Sequence, residues 1–235
     1  MKEILLSLSL LFFLSMAGLS HAAQPFGPGE TVTYSIKKLG VRVGTATLQY
    51  HGPVTIEGRP LLLIVFVADS LNFYDQEQIY VDPKDFRPVI VRRDLDIFGK
   101  KEKIVEHYQP DQGRVVITKT ARGQTTTTEI KKEGALDNIY GFLYRFRNGN
   151  EPALKDSVRL HLPTADVFLK VSKKTKIRAA HRLFEAFYMQ SHSKEYRLWF
   201  GLDKNRTPIR IDGAIGLGSA SLIMTKYQPS TNPGL

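Results

Sequence analysis

Residues 136–149 read LDNIYGFLYRFRNG, and this stretch decides how the rest of the chain is built. Leu136, Ile139, Tyr140, Leu143 and then Phe146 or Arg147 recur at the i, i+3, i+4, i+7 spacing of one helical face. Asp137 is the expected N-cap, because its carboxylate can accept from the free N–H groups of a first turn. Arg145 and Arg147 fall in the last turn, where positive charge suits the helix dipole. Gly149 is the expected stop. After the leader described below, no other stretch reads clearly as a helix.

Outward from this helix, nearly everything alternates with period two. Residues 31–38 set Val32, Tyr34 and Ile36 against Thr33, Ser35 and Lys37, the pattern of a half-buried strand. Leu39-Gly40 turns the chain into a strand over 41–50, which Gly52-Pro53 is expected to end. Residues 61–67, LLLIVFV, are apolar on both faces and should form the most central strand. Further strands and hairpins follow on both sides of the helix, with a turn signal about every ten residues. The fold class is therefore all-β. The expected architecture is a curved antiparallel sheet, a partly open barrel or a sandwich, with one amphipathic helix packed against its concave face.

Late in the chain, Ala214, Gly216, Gly218 and Ala220 line one strand face with small residues. Such a face admits a close neighbour, either the helix or a ligand. Read instead as a phosphate loop, the same letters fail, because the glycine spacing is wrong and no helix pattern follows.

Residues 1–22 read as a secretory signal peptide. Lys2 gives a weakly basic start, residues 4–16 an apolar run, and Ser20 and Ala22 the small residues that precede a cleavage site. The apolar run is short of the roughly 20 residues that a spanning helix needs. The expected organisation is thus a cleaved leader over 1–22 and a single β-rich domain over 23–235, with a flexible tail at 228–235. The expected location is the periplasm. About 210 residues remain after the leader, enough for one domain that buries roughly 70% of its unfolded surface.

The chain has no cysteine. That excludes disulfides, thiolate metal sites, cysteine nucleophiles and a lipoprotein acylation site. Its net charge is +10, from 33 basic against 23 acidic residues. This balance favours anionic surfaces such as lipid head groups, and nucleic acid is not an expected partner of an exported chain. The densest basic segment holds Lys170, Lys173, Lys174 and Lys176. In a regular strand Lys170, Lys174 and Lys176 share a face that can meet anionic head groups, or guard a sheet edge.

Residues that could carry chemistry are few. The six histidines are scattered without metal-ligand spacing. No G-x-S-x-G elbow occurs. Asp94 and Asp96 lie two apart on one strand face at about 6.5–7 Å, a separation that carboxylate pairs of glycosidases use. However, Arg92, Lys100, Lys101 and Lys103 share the hairpin and favour the ionised form, whereas a general acid needs a raised pKa. No metal or cofactor is expected.

Four places together resemble the bacterial family of exported proteins known as DUF3108. They are Phe26-Gly-Pro-Gly-Glu30 with Thr33, Tyr34, Gly40 and Gly44; the helix over 137–147; Trp199-Phe-Gly-Leu-Asp203 with Pro208-Ile-Arg210; and Gly216-Leu-Gly-Ser219 with Leu222. Tyr140 stands where a small residue is expected from the resemblance. The resemblance implies no catalytic residues. It does imply a curved half-barrel of the kind that periplasmic lipid and lipoprotein carriers use.

Three functional classes follow. The first is a periplasmic, non-enzymatic binding or carrier protein for an apolar or amphiphilic ligand, held by Tyr140, Leu143, Tyr144, Gly216 and Gly218. The second is a structural module of the envelope whose helix simply fills the core. The third is an envelope hydrolase.

Overall fold

A computed structural model describes residues 24–193, 195–214 and 219–230. Residues 1–23, which include the expected leader, Gly216, Gly218 and residues 231–235 lie outside the described residues. The described residues form β1 (Glu30–Lys38), β2 (Val41–Ile56), β3 (Arg59–Ser70), β4 (Phe73–Val81), β5 (Pro88–Ile97), β6 (Lys100–Gln109), β7 (Arg114–Ala121) and β8 (Gln124–Lys131). Then come α1 (Ile139–Asn148), β9 (Ser157–Leu162), β10 (Ala165–Ala179), β11 (Arg182–Ser191), β12 (Arg197–Gly201), β13 (Pro208–Ala214) and β14 (Ser219–Gln228).

All fourteen strands belong to one antiparallel sheet. Strands β1 to β8 form one meander and β9 to β14 a second. The two join where β1 pairs with β14, so β8 and β9 are the free edges and the sheet does not close into a barrel. This is the expected all-β architecture. The helix connects the two edges and packs inside the curve.

Alternation places one face of most strands in a continuous core. Val32, Tyr34 and Ile36 of β1 meet Leu48 of β2, Ile64 and Phe66 of β3, and Leu222 and Met224 of β14. β3 lies near the middle of the sheet and is apolar on both faces, as its composition requires. Leu62, Ile64 and Phe66 enter the main core. Leu61 joins a small second cluster with Tyr80, Val89 and Ile90.

Two local expectations are corrected. Gly52-Pro53 does not end β2. The strand runs through it with a register shift between Tyr50 and Gly52, where Gly52 takes φ +87°. Such a bulge lets a long strand bend with the sheet. The second correction concerns the basic segment of β10. A register shift between Val171 and Lys173 puts Lys170 opposite Gln190 and Lys173 opposite Tyr188, while Lys174 and Lys176 oppose Phe187 and Glu185. Directly opposed residues share a face, so Lys170 and Lys173 lie on one side and Lys174 and Lys176 on the other. The extra residue inverts the alternation from which a shared face was read.

Candidate functional site

The helix divides the concave interior into two unlike halves. Tyr140 stacks on Phe66 of β3 with ring centres 4.2 Å apart. Tyr144 packs edge-on against Phe26 at 4.9 Å and beside Tyr50 at 5.5 Å. Leu143 and Tyr144 are 0% exposed and Tyr140 is 5% exposed. Tyr140, Leu143 and Tyr144, expected to meet a ligand, are therefore held by the protein's own side chains. A small residue does stand next to Tyr140, at a close approach to the β4–β5 turn. A Cβ on Gly141 would lie 2.9 Å from the carbonyl oxygen of Phe86.

The opposite flank of α1 is looser. Phe142 lies 6.0 Å from Phe146, which packs at 4.3 Å on Phe200 of β12. Beside these rings is an open groove of about 260 Å³ between the helix and strands β9, β10 and β11. Phe142, Phe146, Val158, Val171 and Met189 make its apolar lining, and Arg145, Asn150, Asp156 and Ser157 supply polar atoms. It adjoins β9, which among the described residues is one of the two edge strands of the sheet.

Polar contacts fix the helix at both ends. The N-cap is Asn138, one residue beyond the expected Asp137, and its Oδ1 accepts from the backbone N–H groups of Tyr140 at 2.8 Å and Gly141 at 3.3 Å. Asp137 serves another purpose. It is 1% exposed, its backbone N–H donates to the His161 carbonyl at 2.8 Å, and its carboxylate lies 2.7 Å from Arg145. It thereby ties the approach to α1 onto β9, near the point where Lys132 donates to the Leu162 carbonyl and the Asp166 carboxylate, both at 2.8 Å.

At the other end Gly149 is extended, with φ −75°, so the helix stops without a left-handed glycine. Arg206 meets the terminal carbonyls instead, donating to Phe146, Gly149 and Asn150. Arg147 points inward. Its terminal nitrogens donate to both carboxylate oxygens of Glu30, Tyr227 donates to the same carboxylate at 3.0 Å, and Arg147 Nε donates to the Asn205 carbonyl at 2.9 Å. A second cavity of about 490 Å³ abuts this pair, lined by residues 24–27, Glu30, Lys204, Asn205 and Tyr227. Burial pushes the Tyr227 phenol up to about 12, with the Glu30 carboxylate acting the same way. Sequence reading missed Glu30, since it closes a Pro/Gly segment and its partner is remote in the chain.

A third polar group sits under the helix N-terminus. Arg93 of β5 donates to both oxygens of Asp75 on β4, at 2.7 and 2.5 Å. Glu77 lies 3.5 Å from Arg93 and accepts from Asn138 at 3.4 Å. Burial lifts the Glu77 carboxyl to about 7, against the pull of Arg93 and helped by Asp75 and Glu106. One guanidinium thus faces more carboxylates than it can neutralise. Among the described residues, no three or more His, Asp or Glu side chains converge as metal ligands. The strand register sets Asp94 opposite Lys103 and Asp96 opposite Lys101.

The fold and its groove define a split antiparallel half-barrel filled by one helix. Residues 31–225 match the family described as "Protein of unknown function (DUF3108)", and the chain belongs to that family. A beta-barrel-like protein of domain of unknown function DUF1849 from Brucella abortus is similar at 10% identity and a TM-score of 0.49, over 87% of this chain and 99% of its own. A candidate lipoprotein from Parabacteroides distasonis is similar at 8% identity and a TM-score of 0.31, over 88% of this chain and 99% of its own. At such identities the likeness concerns the fold alone. No curated protein matches the chain. Among the described residues no helix is long and apolar enough to cross a membrane.

Proposed function

We propose that this chain is an exported, periplasmic binding protein that takes an apolar chain, or the apolar part of an amphiphile, into the groove between α1 and strands β9–β11. The observation that carries this reading is the open, Phe-, Val- and Met-lined groove beside the edge strand β9. Ligand pockets are mostly apolar with a few polar groups at fixed places, and this one has that composition. Its volume is just below the roughly 300–1,000 Å³ usual for such sites, which suits one short chain or the end of a longer one. Tyr140, Leu143 and Tyr144 then form the rigid backing of the site, with Phe142 and Phe146 in contact with the ligand. The leader pattern of residues 1–22 supports export.

Binding of a fluorescent fatty acid to leader-free protein tests the proposal. Val158→Trp fills the groove and should weaken binding at least about tenfold, since the side chain would occupy the space of the ligand. Phe168→Ser, on the outer face of β10, should leave binding unchanged. Equal binding by wild type and Val158→Trp would refute the assignment.

A second reading, a structural envelope module, is favoured by the complete burial of Leu143, Tyr144 and Arg147. Under that reading wild-type protein does not take up the fatty acid at all.

A further inference from the structure

The two ends of the β1–β8 meander carry different turns. At the end where β2 meets β3, β4 meets β5, and β6 meets β7, the connections are polar at their tips, such as Glu57-Gly58, or turn their apolar residue inward, as with buried Phe86. At the opposite end, three successive hairpins place a large apolar side chain in solvent. Leu39 between β1 and β2 is 98% exposed, Leu71 between β3 and β4 is 94% exposed, and Phe98 between β5 and β6 is 70% exposed. Val41 adds to the first of these tips.

Single exposed leucines are ordinary on any protein surface. Three on consecutive hairpins at one end are not explained that way. Neighbouring strands lie about 4.8 Å apart, so successive hairpins stand about 10 Å apart. The Leu71 and Phe98 turns are joined directly, since Phe98 N–H donates to the Asn72 carbonyl at 2.9 Å.

Local conformation does not ask for these residues. Leu39-Gly40 and Phe98-Gly99 have positive φ at both positions, the two-residue turn that favours Asn or Asp before Gly. Leu and Phe are poor choices for a left-handed backbone, and here they are also poor choices for water. Glu57-Gly58 and Arg122-Gly123 make the same kind of turn with polar residues. The apolar apices also stand among cations. Arg42, Lys100, Lys101 and Arg122 are exposed at or beside the tips, with Asp69 and Asp96 nearby.

We infer that this row of hairpin tips is a docking edge for an anionic lipid bilayer surface, with Leu39, Leu71 and Phe98 entering the acyl boundary while Arg42, Lys100 and Lys101 meet the head groups. Separate apices on narrow turns suit a fluid surface that closes around each one, whereas a protein partner is better matched by one contiguous patch. A second copy of this chain would bring like charges together. Lys or Arg near an anionic leaflet adds about 1 kcal/mol each, so apolar and basic contributions act jointly. Arg147 reaches Glu30 and Asn205, and Gly141 lies against Phe86, all at the end of the sheet away from these tips, so docking leaves those helix contacts in place. The inference does not rest on the groove, and the two can fail separately.

The cysteine-free chain allows a direct test. Single variants Leu39→Cys, Leu71→Cys and Phe98→Cys, with Glu57→Cys as the far-end control, are labelled with an environment-sensitive dye in leader-free protein. They are mixed with vesicles of equal parts phosphatidylglycerol and phosphatidylcholine. Emission should shift to the blue at 39, 71 and 98 and stay constant at 57. The triple variant Leu39→Ser/Leu71→Ser/Phe98→Ser should lower vesicle co-sedimentation at least about tenfold with unchanged thermal unfolding, because the three side chains are mostly exposed in the fold. Arg42→Glu with Lys100→Glu should weaken binding most at low salt. Silent labels at the tips, an equal response at 57, or undiminished binding by the triple variant would overturn the inference.

Discussion

Arg147 and Glu30 stand 117 residues apart in sequence and form a two-pronged ion pair, at 2.6 and 2.7 Å, with neither side chain exposed to solvent. The guanidinium also lies 4.6 Å from the ring centre of Phe26 and 5.1 Å from that of Tyr144. The pair therefore locks the last turn of α1 to the first residue of β1. Arg147→Met leaves a buried carboxylate with Tyr227 as its remaining donor and should cost about 3–5 kcal/mol. The double variant Glu30→Leu/Arg147→Met removes both charges and should be more stable than Arg147→Met alone. Urea unfolding of the set checks this, and additive losses would mean that the pair is not coupled.

Glu77 gives the fold a pH dependence of defined sign. Its carboxyl titrates near 7 in the folded chain and at about 4.3 when unfolded. Between those values the folded chain keeps a proton that the unfolded chain has lost. Stability from this group is thus greatest at the acid end, falls as pH rises through the window, and is level above about 7. Glu77→Gln is neutral throughout and keeps an acceptor for Asn138. It should match wild type near pH 4, below the unfolded value, and exceed it by up to about 4 kcal/mol at pH 8. Thermal unfolding across that range is the measurement, and parallel curves would contradict the assignment.

Asn138 and Asp137 should separate cleanly. Asn138→Ala removes the cap and should cost about 1 kcal/mol. Asp137→Ala leaves Arg145 without its buried partner and removes the carboxylate that accepts from the His161 N–H at 3.4 Å, so a larger loss of about 3 kcal/mol is expected. Hydrogen exchange should show faster opening of His161 and its neighbours in Asp137→Ala only.

Gly141→Ala sets two effects against each other. Alanine in a helix gains about 1 kcal/mol over glycine. The added methyl would sit 2.9 Å from a backbone oxygen of Phe86, which cannot swing aside as a side chain can. Net destabilisation of about 1–3 kcal/mol is expected, because overpacking displaces the helix from the β4–β5 turn. A stabilised variant would show that the turn yields.

Much of this was legible in the residues themselves. Alternation in residues 31–38 and the doubly apolar run 61–67 revealed the sheet, because side-chain period follows directly from strand geometry. The 3.6-residue spacing revealed α1. What escaped depends on tertiary placement. Nothing local marks Glu30 as a buried partner of Arg147. The bulge near Val171 that parts Lys170 from Lys174 has no glycine or proline to announce it. Asp137 and Asn138 are both capping residues by type, and only the contact of Asp137 with Arg145 and β9 tells them apart. The exposed tip at Leu39 reads as a turn. That it shares one end with the tips at Leu71 and Phe98 follows only once the strand order is known.

Native mass spectrometry of leader-free wild type and Val158→Trp, each recovered from the periplasm of cells that make it, tests the central claim most directly. The groove assignment predicts a lipid-sized adduct on wild type that is absent from Val158→Trp. A bare mass for wild type, or an adduct that persists when the groove is filled, would contradict it.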